Sequence, residues 1–124
     1  MDKPAGMTSH DVVARARRVL GERSIGHTGT LDPFATGLLV LLVGKGTRVA
    51  RFLDGLGKTY LATARLGQRT ATDDLTGEPV GPAHEGPPPT REEIARALAG
   101  FLGVQAQTPP AYSARKQGGE RAYA

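Results

Sequence analysis

The stretch GHTGTLDPFATG, residues 26–37, places a single carboxylate, Asp32, in a loop of glycine, proline and hydroxylated residues. Asp-Pro commonly starts a turn, so composition alone favours a turn or helix-cap role for Asp32. Two other features favour chemistry. The small flanking residues let another molecule approach the backbone closely, and Arg23, Arg48 and Arg51 are near enough in sequence to keep an acid ionised. A single ionised aspartate can serve as a nucleophile or an electrostatic stabiliser, and the spacing does not choose between them.

Other catalytic patterns have less support. No second carboxylate lies near Asp32 in the sequence, so two-acid glycosidase chemistry is unsupported. His27 and Asp32 have the H-x4-D spacing of acyltransferases in which histidine is the base and aspartate orients it. This short pattern has no accompanying acyl-acceptor motif and stays as an alternative. The GKGT string at 44–47 lacks two required positions of a phosphate loop, since Leu39 and Gly46 replace a glycine and a Ser or Thr.

The composition limits the class of protein. The 124 residues suit one ordinary domain, and the formal charge of +4 is uneven, with 11 basic and 5 acidic residues in positions 1–72. This bias favours an anionic partner such as nucleic acid. There is no cysteine and the three histidines lack metal-binding spacing, so we expect no metal site. The longest apolar run has six residues and the N-terminus lacks a signal-peptide core, so we expect a cytoplasmic protein with no membrane partner.

Two amphipathic helices are predicted. The first covers residues 9–20, with Thr8 or Ser9 as N-cap and Gly21 at its C-terminal end. The second follows a capping box that begins at Thr90. The apolar stripes expected to be buried are Val12, Val13, Ala16, Val19 and Leu20 on the first helix, and Ile94, Ala97, Leu98, Phe101 and Leu102 on the second. The arginines near the end of the first helix fit a solvated face or RNA phosphate contacts: Arg15, Arg17, Arg18 and Arg23.

Strands and loops complete the predicted organisation. Residues 38–43 predict a strand buried on both faces, and residues 58–66 predict a second strand. A short helix is predicted within 46–55, with Val49, Phe52 and Leu53 inward. Residues 67–90 are rich in glycine and proline, and residues 104–124 suggest extended segments separated by Gly118-Gly119. The expected fold class is α+β, with a mixed, largely antiparallel sheet flanked by helices.

Five ordered sequence blocks resemble the TruB family of tRNA pseudouridine synthases. GHTGTLDPFATGLL resembles the catalytic loop of that family. The other blocks, in the order of the family, are DKPAGMTSHDVV, KTY at 58–60, LGQRTATDDLTG and QTPPAYSARKQGGERAY. The resemblance covers essentially the whole chain and implies isomerisation of uridine to pseudouridine in the T-loop of tRNA, at uridine-55. It also implies a pseudouridine synthase-like fold, no metal or organic cofactor, the tRNA T-arm stem-loop as partner, and a monomeric complete enzyme.

The resemblance implies roles for individual residues. Asp32 resembles the nucleophile, with attack at C1′ of the sugar or C6 of the base left open. Tyr60 resembles the ring that stacks on the flipped uracil and helps remove the C5 proton. His27 resembles the histidine that enters the space left by that base. The remaining implied roles are loop shaping by Thr28 and Gly29, loop support by Lys3 and Pro4, and lining of the RNA side by Tyr112, Ser113 and Lys116.

The chain departs from the family in what it lacks. The Gly-Thr-Tyr-Ile-Arg-type strand of the family, whose arginine pairs with the catalytic aspartate, has no counterpart in residues 1–124, nor does the C-terminal RNA-binding domain. We therefore expect residues 1–124 to form the N-terminal half of a pseudouridine synthase catalytic domain, an incomplete fragment whose own activity is an open question. A fragment that binds RNA without catalysis is the alternative.

Overall fold

The computed structural model of the chain describes residues 1–106 and two short strands at 116–117 and 120–121. The chain forms two compact units, Met1–Tyr60 and Leu61–Ala124. Both contain helix and antiparallel strand pairs, which confirms the α+β class. The described strands pair two by two rather than as one continuous sheet. Within the described residues, no helix is long and apolar enough to cross a membrane.

Helix α1, Ser9–Leu20, confirms the first helix prediction. The Thr8 hydroxyl accepts a hydrogen bond from the backbone N–H of Asp11, and the Asp11 side chain accepts one from the backbone of Thr8, which completes a capping box. Gly21 ends the helix in the left-handed conformation, at φ 63°. The predicted stripe is only partly buried, because Val12 and Val13 in the first half are covered whereas Val19 and Leu20 in the last turn are exposed.

The first unit contains two antiparallel strand pairs, and one strand of the second pair, Ile25–Thr28, packs against α1. Strand β1, Asp2–Lys3, pairs with β3, Gly37–Leu38, and strand β2, Ile25–Thr28, pairs with β4, Val40–Val43. The strand predicted at 38–43 is therefore divided between two partners. Its prediction as buried on both faces was wrong, since Leu38 is 77% exposed. Alternate side chains of a strand point to opposite faces, and a two-stranded pair packed on one side buries only one of them.

The core of this unit is small and lies between α1 and the strand pairs. Its buried apolar residues are Val12, Val13, Ile25, Leu39 and Leu42, and two polar residues, Lys3 and Ser9, are buried with them. Leu39 is also held through its backbone: its N–H donates to the Met1 carbonyl at 2.8 Å, and its carbonyl accepts from the N-terminal ammonium at 3.0 Å. The first residues of the chain are thus attached to the middle of the apolar run.

The predicted short helix is present as a 3₁₀ helix, Gly44–Val49, followed by helix α2, Ala50–Leu53. The prediction that Val49 and Phe52 point inward was wrong, because both are exposed. The Arg51 guanidinium lies 4.7 Å from the centroid of the Phe52 ring and covers it instead. No strand forms at 58–66, because no partner strand pairs with it among the described residues.

The second unit has little buried surface. Strand β5, Arg69–Thr70, pairs with β6, Pro79–Val80, and helix α3, Arg91–Ala99, begins with the predicted capping box between Thr90 and Glu93. The apolar stripe of α3 was predicted to be buried, but all five of its residues are exposed: Ile94, Ala97, Leu98, Phe101 and Leu102. Strands β7, Lys116–Gln117, and β8, Glu120–Arg121, confirm the extended segments on either side of residues 118–119.

Candidate active-site loop around Asp32

The residue before Asp32 is held by a side chain from helix α1. The Ser9 hydroxyl accepts a hydrogen bond from the Leu31 backbone N–H at 3.0 Å and donates one to the Leu31 carbonyl at 3.2 Å. One hydroxyl group can make both bonds at once, because it has one donor and two acceptor lone pairs. Both backbone polar groups of Leu31 are therefore fixed to the start of a helix that lies 22 positions earlier.

The residue after Asp32 is held by Lys3. The side chain of Lys3 is fully buried, and its ammonium donates hydrogen bonds to the carbonyls of Met7 at 2.7 Å, Pro4 at 3.0 Å and Pro33 at 3.3 Å. The Pro33 carbonyl also accepts from the Gly6 N–H at 2.7 Å. A buried ammonium needs such acceptors, and three carbonyls satisfy its three donors.

Lys3 and Pro4 differ in their relation to the Asp32 loop. Lys3 reaches Pro33 directly, and the only described polar contact of Pro4 is its carbonyl bond to the Lys3 ammonium. The support of the loop by Lys3 and Pro4 stays a prediction, to which these hydrogen bonds give a geometric basis for Lys3.

Asp32 itself presents a carboxylate to solvent. Its residue is exposed, and its carbonyl accepts a hydrogen bond from the Ala35 N–H at 3.1 Å, which closes a turn. Among residues 1–106, no hydrogen bond or ion pair engages the Asp32 carboxylate, so Arg23, Arg48 and Arg51 make no ion pair with it. The turn is formed by the backbone, which leaves both carboxylate oxygens available to another molecule.

His27 lies on β2, opposite Leu41, and is half-buried. Its Nδ1 lies 2.8 Å from the Gly29 carbonyl. A carbonyl can only accept, so this bond assigns the proton to Nδ1 and leaves Nε2 as an acceptor in the neutral ring. The acyltransferase alternative requires the aspartate to orient the histidine, but here the Gly29 carbonyl holds that ring nitrogen.

Thr28 and Gly29 form the turn out of β2. Thr28 is the last residue of the strand, paired with Val40, and Gly29 has φ +73°, a conformation that side-chain-bearing residues rarely adopt. A Cβ placed on Gly29 would lie 3.7 Å from Cε of Lys58. The Lys58 ammonium donates to the carbonyls of Asp54 at 3.0 Å and Leu56 at 3.3 Å, so this lysine connects the end of α2 with the turn.

Tyr60 is 67% exposed, at the end of the same unit. Within the described residues, its hydroxyl makes no hydrogen bond to the Asp32 loop. Tyr112 and Ser113 lie outside the described residues, and Lys116 is described only as part of strand β7. The structure therefore places Lys3, Asp32, His27, Thr28 and Gly29 in one unit, where Lys3 bonds to the residue after Asp32, and it leaves the ring of Tyr60 open to solvent.

The sequence did not identify Ser9 and Gly6 as supports of the loop. Ser9 was a candidate N-cap only, and Thr8 takes that role in the structure. The available signal was the pair of adjacent hydroxyl residues, Thr8 and Ser9, because one helix terminus needs only one capping side chain. Arg17, one of the arginines considered for RNA contact, instead donates to the Ile25 carbonyl at 2.7 Å. In the described part of the chain, no group of three acidic or histidine side chains is arranged to hold a metal ion.

Comparison with known proteins places these residues in a family. The family model described as "TruB family pseudouridylate synthase (N terminal domain)" matches residues 17–124. The tRNA pseudouridine synthase B of Arthrobacter sp. is 52% identical over 124 residues, which is all of this chain and 40% of that protein. The corresponding protein of Opitutus terrae is 51% identical over 123 residues, covering 99% of this chain and 51% of that protein.

A third relative agrees with the first two. The tRNA pseudouridine synthase B of Deinococcus radiodurans is 51% identical over 123 residues, covering 99% of this chain and 40% of that protein. The chain thus spans between about two fifths and one half of the length of these curated relatives. The family model covers most of the chain, Asp32 and its anchored loop included, and on that ground the chain belongs to the TruB family of pseudouridylate synthases.

Proposed function

We propose that this chain carries the catalytic loop of a tRNA pseudouridine synthase that converts a uridine of the T-loop, uridine-55, into pseudouridine. The observation that carries the proposal is the exposed Asp32 carboxylate on a loop whose backbone is fixed on both sides. The relatives are named for synthesis of pseudouridine in tRNA, and they match this chain over all or nearly all of its length. The basic bias of residues 1–72 suits an RNA partner.

The proposed reaction needs a nucleophile that the protein holds in a fixed position. The bond between N1 of uracil and C1′ of ribose breaks, the base turns, and a bond forms between C5 and C1′. C5 loses a proton and N1 gains one, so substrate and product are isomers and no electrons are transferred. If Asp32 attacks C1′, it is displaced when C5 bonds to C1′; if it attacks C6, it is eliminated when C5 loses its proton and the C5–C6 double bond is restored. Fixing its backbone in advance lowers the entropic cost of reaching the reactive geometry.

The neighbouring residues receive roles that fit their exposure. A uridine inside a folded T-loop must leave its stack before Asp32 can reach it, and flipped bases are held by stacking on aromatic rings. We assign that stacking to Tyr60, whose ring is open to solvent. His27 would enter the space left by the base, where its free Nε2 can accept a hydrogen bond from RNA. Thr28 and Gly29 shape the turn, and Lys3 and Pro4 support the loop.

The proposal extends to the organisation of the protein. Residues 1–124 would form the N-terminal half of the catalytic domain of a monomeric enzyme. That enzyme would act in the cytoplasm, because unmodified tRNA is found there. A second candidate function is RNA binding without catalysis, and it is favoured by the exposed arginines of the first unit, Arg15, Arg18 and Arg23. The two functions differ in their response to Asp32, because phosphate contacts give salt-sensitive binding that is indifferent to Asp32→Asn.

The test is a pseudouridine assay on an unmodified tRNA T-arm. Two samples are compared: the chain alone, and the chain followed by the remaining sequence of the Arthrobacter relative, because the chain spans 40% of that protein. The expected result is product at the T-loop uridine and none on a T-arm with cytidine at that position. Asp32→Asn should reduce the rate by roughly 10⁴-fold or more, as removal of a nucleophile does.

Asp54→Asn is the matched control, since Asp54 is an exposed aspartate of the same unit whose side chain makes no hydrogen bond to the Asp32 loop within residues 1–106. It should retain the parent rate. Product that survives Asp32→Asn would refute the assigned nucleophile. Salt-sensitive binding with no product from either sample would favour the non-catalytic function.

A further inference from the structure

Ser9 connects helix α1 to the residue immediately before Asp32. We infer that Ser9 is a positioning residue, which sets where the Asp32 carboxylate stands relative to its substrate. The inference rests on the proposed function for its effect on rate, whereas the anchoring of the loop can be measured separately. Ser9 touches no reacting atom, and its influence passes through the backbone of Leu31.

The environment of Ser9 shows that its hydroxyl serves the loop rather than its own helix. The residue is 3% exposed, although serine is usually found at the surface. Thr8 provides the capping hydrogen bond of α1, so the helix does not need the Ser9 hydroxyl for this purpose. The hydroxyl donates its one proton to the Leu31 carbonyl and accepts from the Leu31 N–H, so both of its hydrogen bonds go to one residue of the loop.

The part of α1 that follows Ser9 belongs to the buried core of the unit. Val12 and Val13, in the next turn of α1, are almost fully buried. Arg17 fixes the following part of the helix to strand β2 by its bond to the Ile25 carbonyl at 2.7 Å. Because Ser9 is attached to this core, its bonds to Leu31 transmit the position of the core to the loop.

Ser9 and Lys3 act on opposite sides of the same residue. Ser9 fixes Leu31, Lys3 fixes the carbonyl of Pro33, and Asp32 is the single residue between them. Successive Cα atoms are about 3.8 Å apart, so two anchored neighbours leave the Asp32 backbone little freedom to move. Without the Ser9 bonds, Leu31 is free to rotate its peptide groups, and the loop is held on one side only.

The experiment compares Ser9→Ala, Ser9→Thr and Thr8→Ala. Thr8→Ala is the matched control because it removes the adjacent hydroxyl and the helix cap but leaves the bonds to Leu31. Two quantities are measured for each variant: the exchange rate of the Leu31 amide hydrogen in the chain itself, and kcat and KM for the T-arm RNA in whichever sample makes product.

We expect faster exchange of the Leu31 amide in Ser9→Ala than in the parent. Misplacement of the nucleophile should reduce kcat roughly 10- to 100-fold and leave KM within about twofold of the parent. Ser9→Thr, which keeps a hydroxyl, should restore most of kcat. Thr8→Ala should lower the melting temperature while its Leu31 exchange and kcat stay close to the parent values.

Other results overturn the inference or separate it from the proposed function. A kcat for Ser9→Ala equal to the parent value, or equal losses in Ser9→Ala and Thr8→Ala, would show that Ser9 has no positioning role. If no sample makes pseudouridine, the proposed function fails, and the Leu31 amide then decides by itself whether Ser9 anchors the loop. Unchanged exchange in Ser9→Ala would overturn the anchoring as well.

Discussion

Asp32 and Asp74 both lie in loops of small and hydroxylated residues, but their carboxylates are used in opposite ways. Asp74 lies between strands β5 and β6, and one of its carboxylate oxygens accepts from the hydroxyls of Thr72 at 2.7 Å and Thr76 at 2.6 Å and from the Thr76 N–H at 2.8 Å. The Asp32 carboxylate has no such bond among residues 1–106, although the backbone on both sides of it is anchored.

The partners that build the two loops also come from different places. Side-chain hydrogen bonds to the residues beside Asp32 come from Ser9 and Lys3, which are 22 and 30 positions from their acceptors in sequence. Those of the Asp74 loop come from Thr70, Thr72 and Thr76, two to four positions away. A loop that is held by distant parts of the fold can present its side chain to a ligand. In a loop that is stabilised by local hydrogen bonds, the polar side chains are already bonded within the loop and are not available to a ligand.

The largest expected difference between the two units is in their cores. Leu39→Ala should lower the free energy of unfolding by about 2–5 kcal/mol, because Leu39 is fully buried in the first unit. Leu98→Ala, on the exposed face of α3, should change it by no more than about 0.5 kcal/mol. Urea unfolding followed by circular dichroism measures both. Similar losses in the two variants would show that the face of α3 is buried in solution.

The next largest effect is expected for the buried lysine. Lys3→Met should cost about 1.5–3 kcal/mol, because the carbonyls of Met7 and Pro33 lose a charge-assisted hydrogen bond in a buried place. The exposed Lys45 is the control, and Lys45→Met should stay within about 0.5 kcal/mol of the parent. The same unfolding measurement applies. If Lys3→Met is as stable as Lys45→Met, the bonds of Lys3 do not hold the loop.

A smaller and more local effect is expected in the hairpin formed by β5, β6 and the loop between them that contains Asp74. A Cβ on Gly77 would lie 2.7 Å from the backbone nitrogen of Thr72, so Gly77→Ala should force the hairpin apart at a cost of about 1–3 kcal/mol. Exchange of the Ala71 amide, which donates to the Glu78 carbonyl at 2.9 Å, should accelerate. Gly57→Ala, at a site with nothing within 4 Å, is the control. Protection of Ala71 that survives Gly77→Ala would contradict the tight packing of this loop.

The smallest expected effect is the pH dependence of the same hairpin. The hydrogen bond from the Thr76 hydroxyl, followed by that from Thr72, holds the pKa of Asp74 below its ordinary value. A lowered pKa in the folded state means that this stabilisation is complete above the ordinary aspartate pKa of about 4 and is lost as the pH falls through the lower folded value.

Carboxyl NMR titration measures the pKa of Asp74 directly. Thr76→Val should raise it, and by more than Thr72→Val does, because the Thr76 side chain provides the larger contribution. A pKa at or above the ordinary value in the parent, or no change in Thr76→Val, would show that the two threonine hydroxyls do not stabilise the ionised Asp74 carboxylate.

The sequence was sufficient where the determining contacts are local. Both capping boxes, Thr8 with Asp11 and Thr90 with Glu93, form between residues three positions apart, and both helices begin where the sequence predicts. Strands β7 and β8, which pair with each other, likewise lie on either side of positions 118–119 in the sequence. The prediction that the loop around Asp32 is catalytic came from the resemblance to a family rather than from a physical signal of its own.

The sequence was insufficient where a partner decides the outcome. The run at 38–43 has the composition of one strand, but Leu38 and Val40 pair with different strands. The stripe on α3 has the correct spacing for burial, but spacing does not provide a surface to cover it. The role of Ser9 was equally hard to predict from the sequence, because its bonds to Leu31 depend on where the fold places a loop 22 positions away.

In the structure, the fold holds the backbone around Asp32 but does not depend on the Asp32 carboxylate for its stability. The variant Asp32→Ala tests this most directly. The free energy of unfolding and the rate of pseudouridine formation on the T-arm are measured on the same preparation. The structure leads us to expect stability within about 0.5 kcal/mol of the parent, because no bond to the carboxylate is lost among residues 1–106, together with loss of product. A loss of about 2 kcal/mol or more would show that Asp32 is a structural turn residue, and product formed at the parent rate would remove it from the reaction.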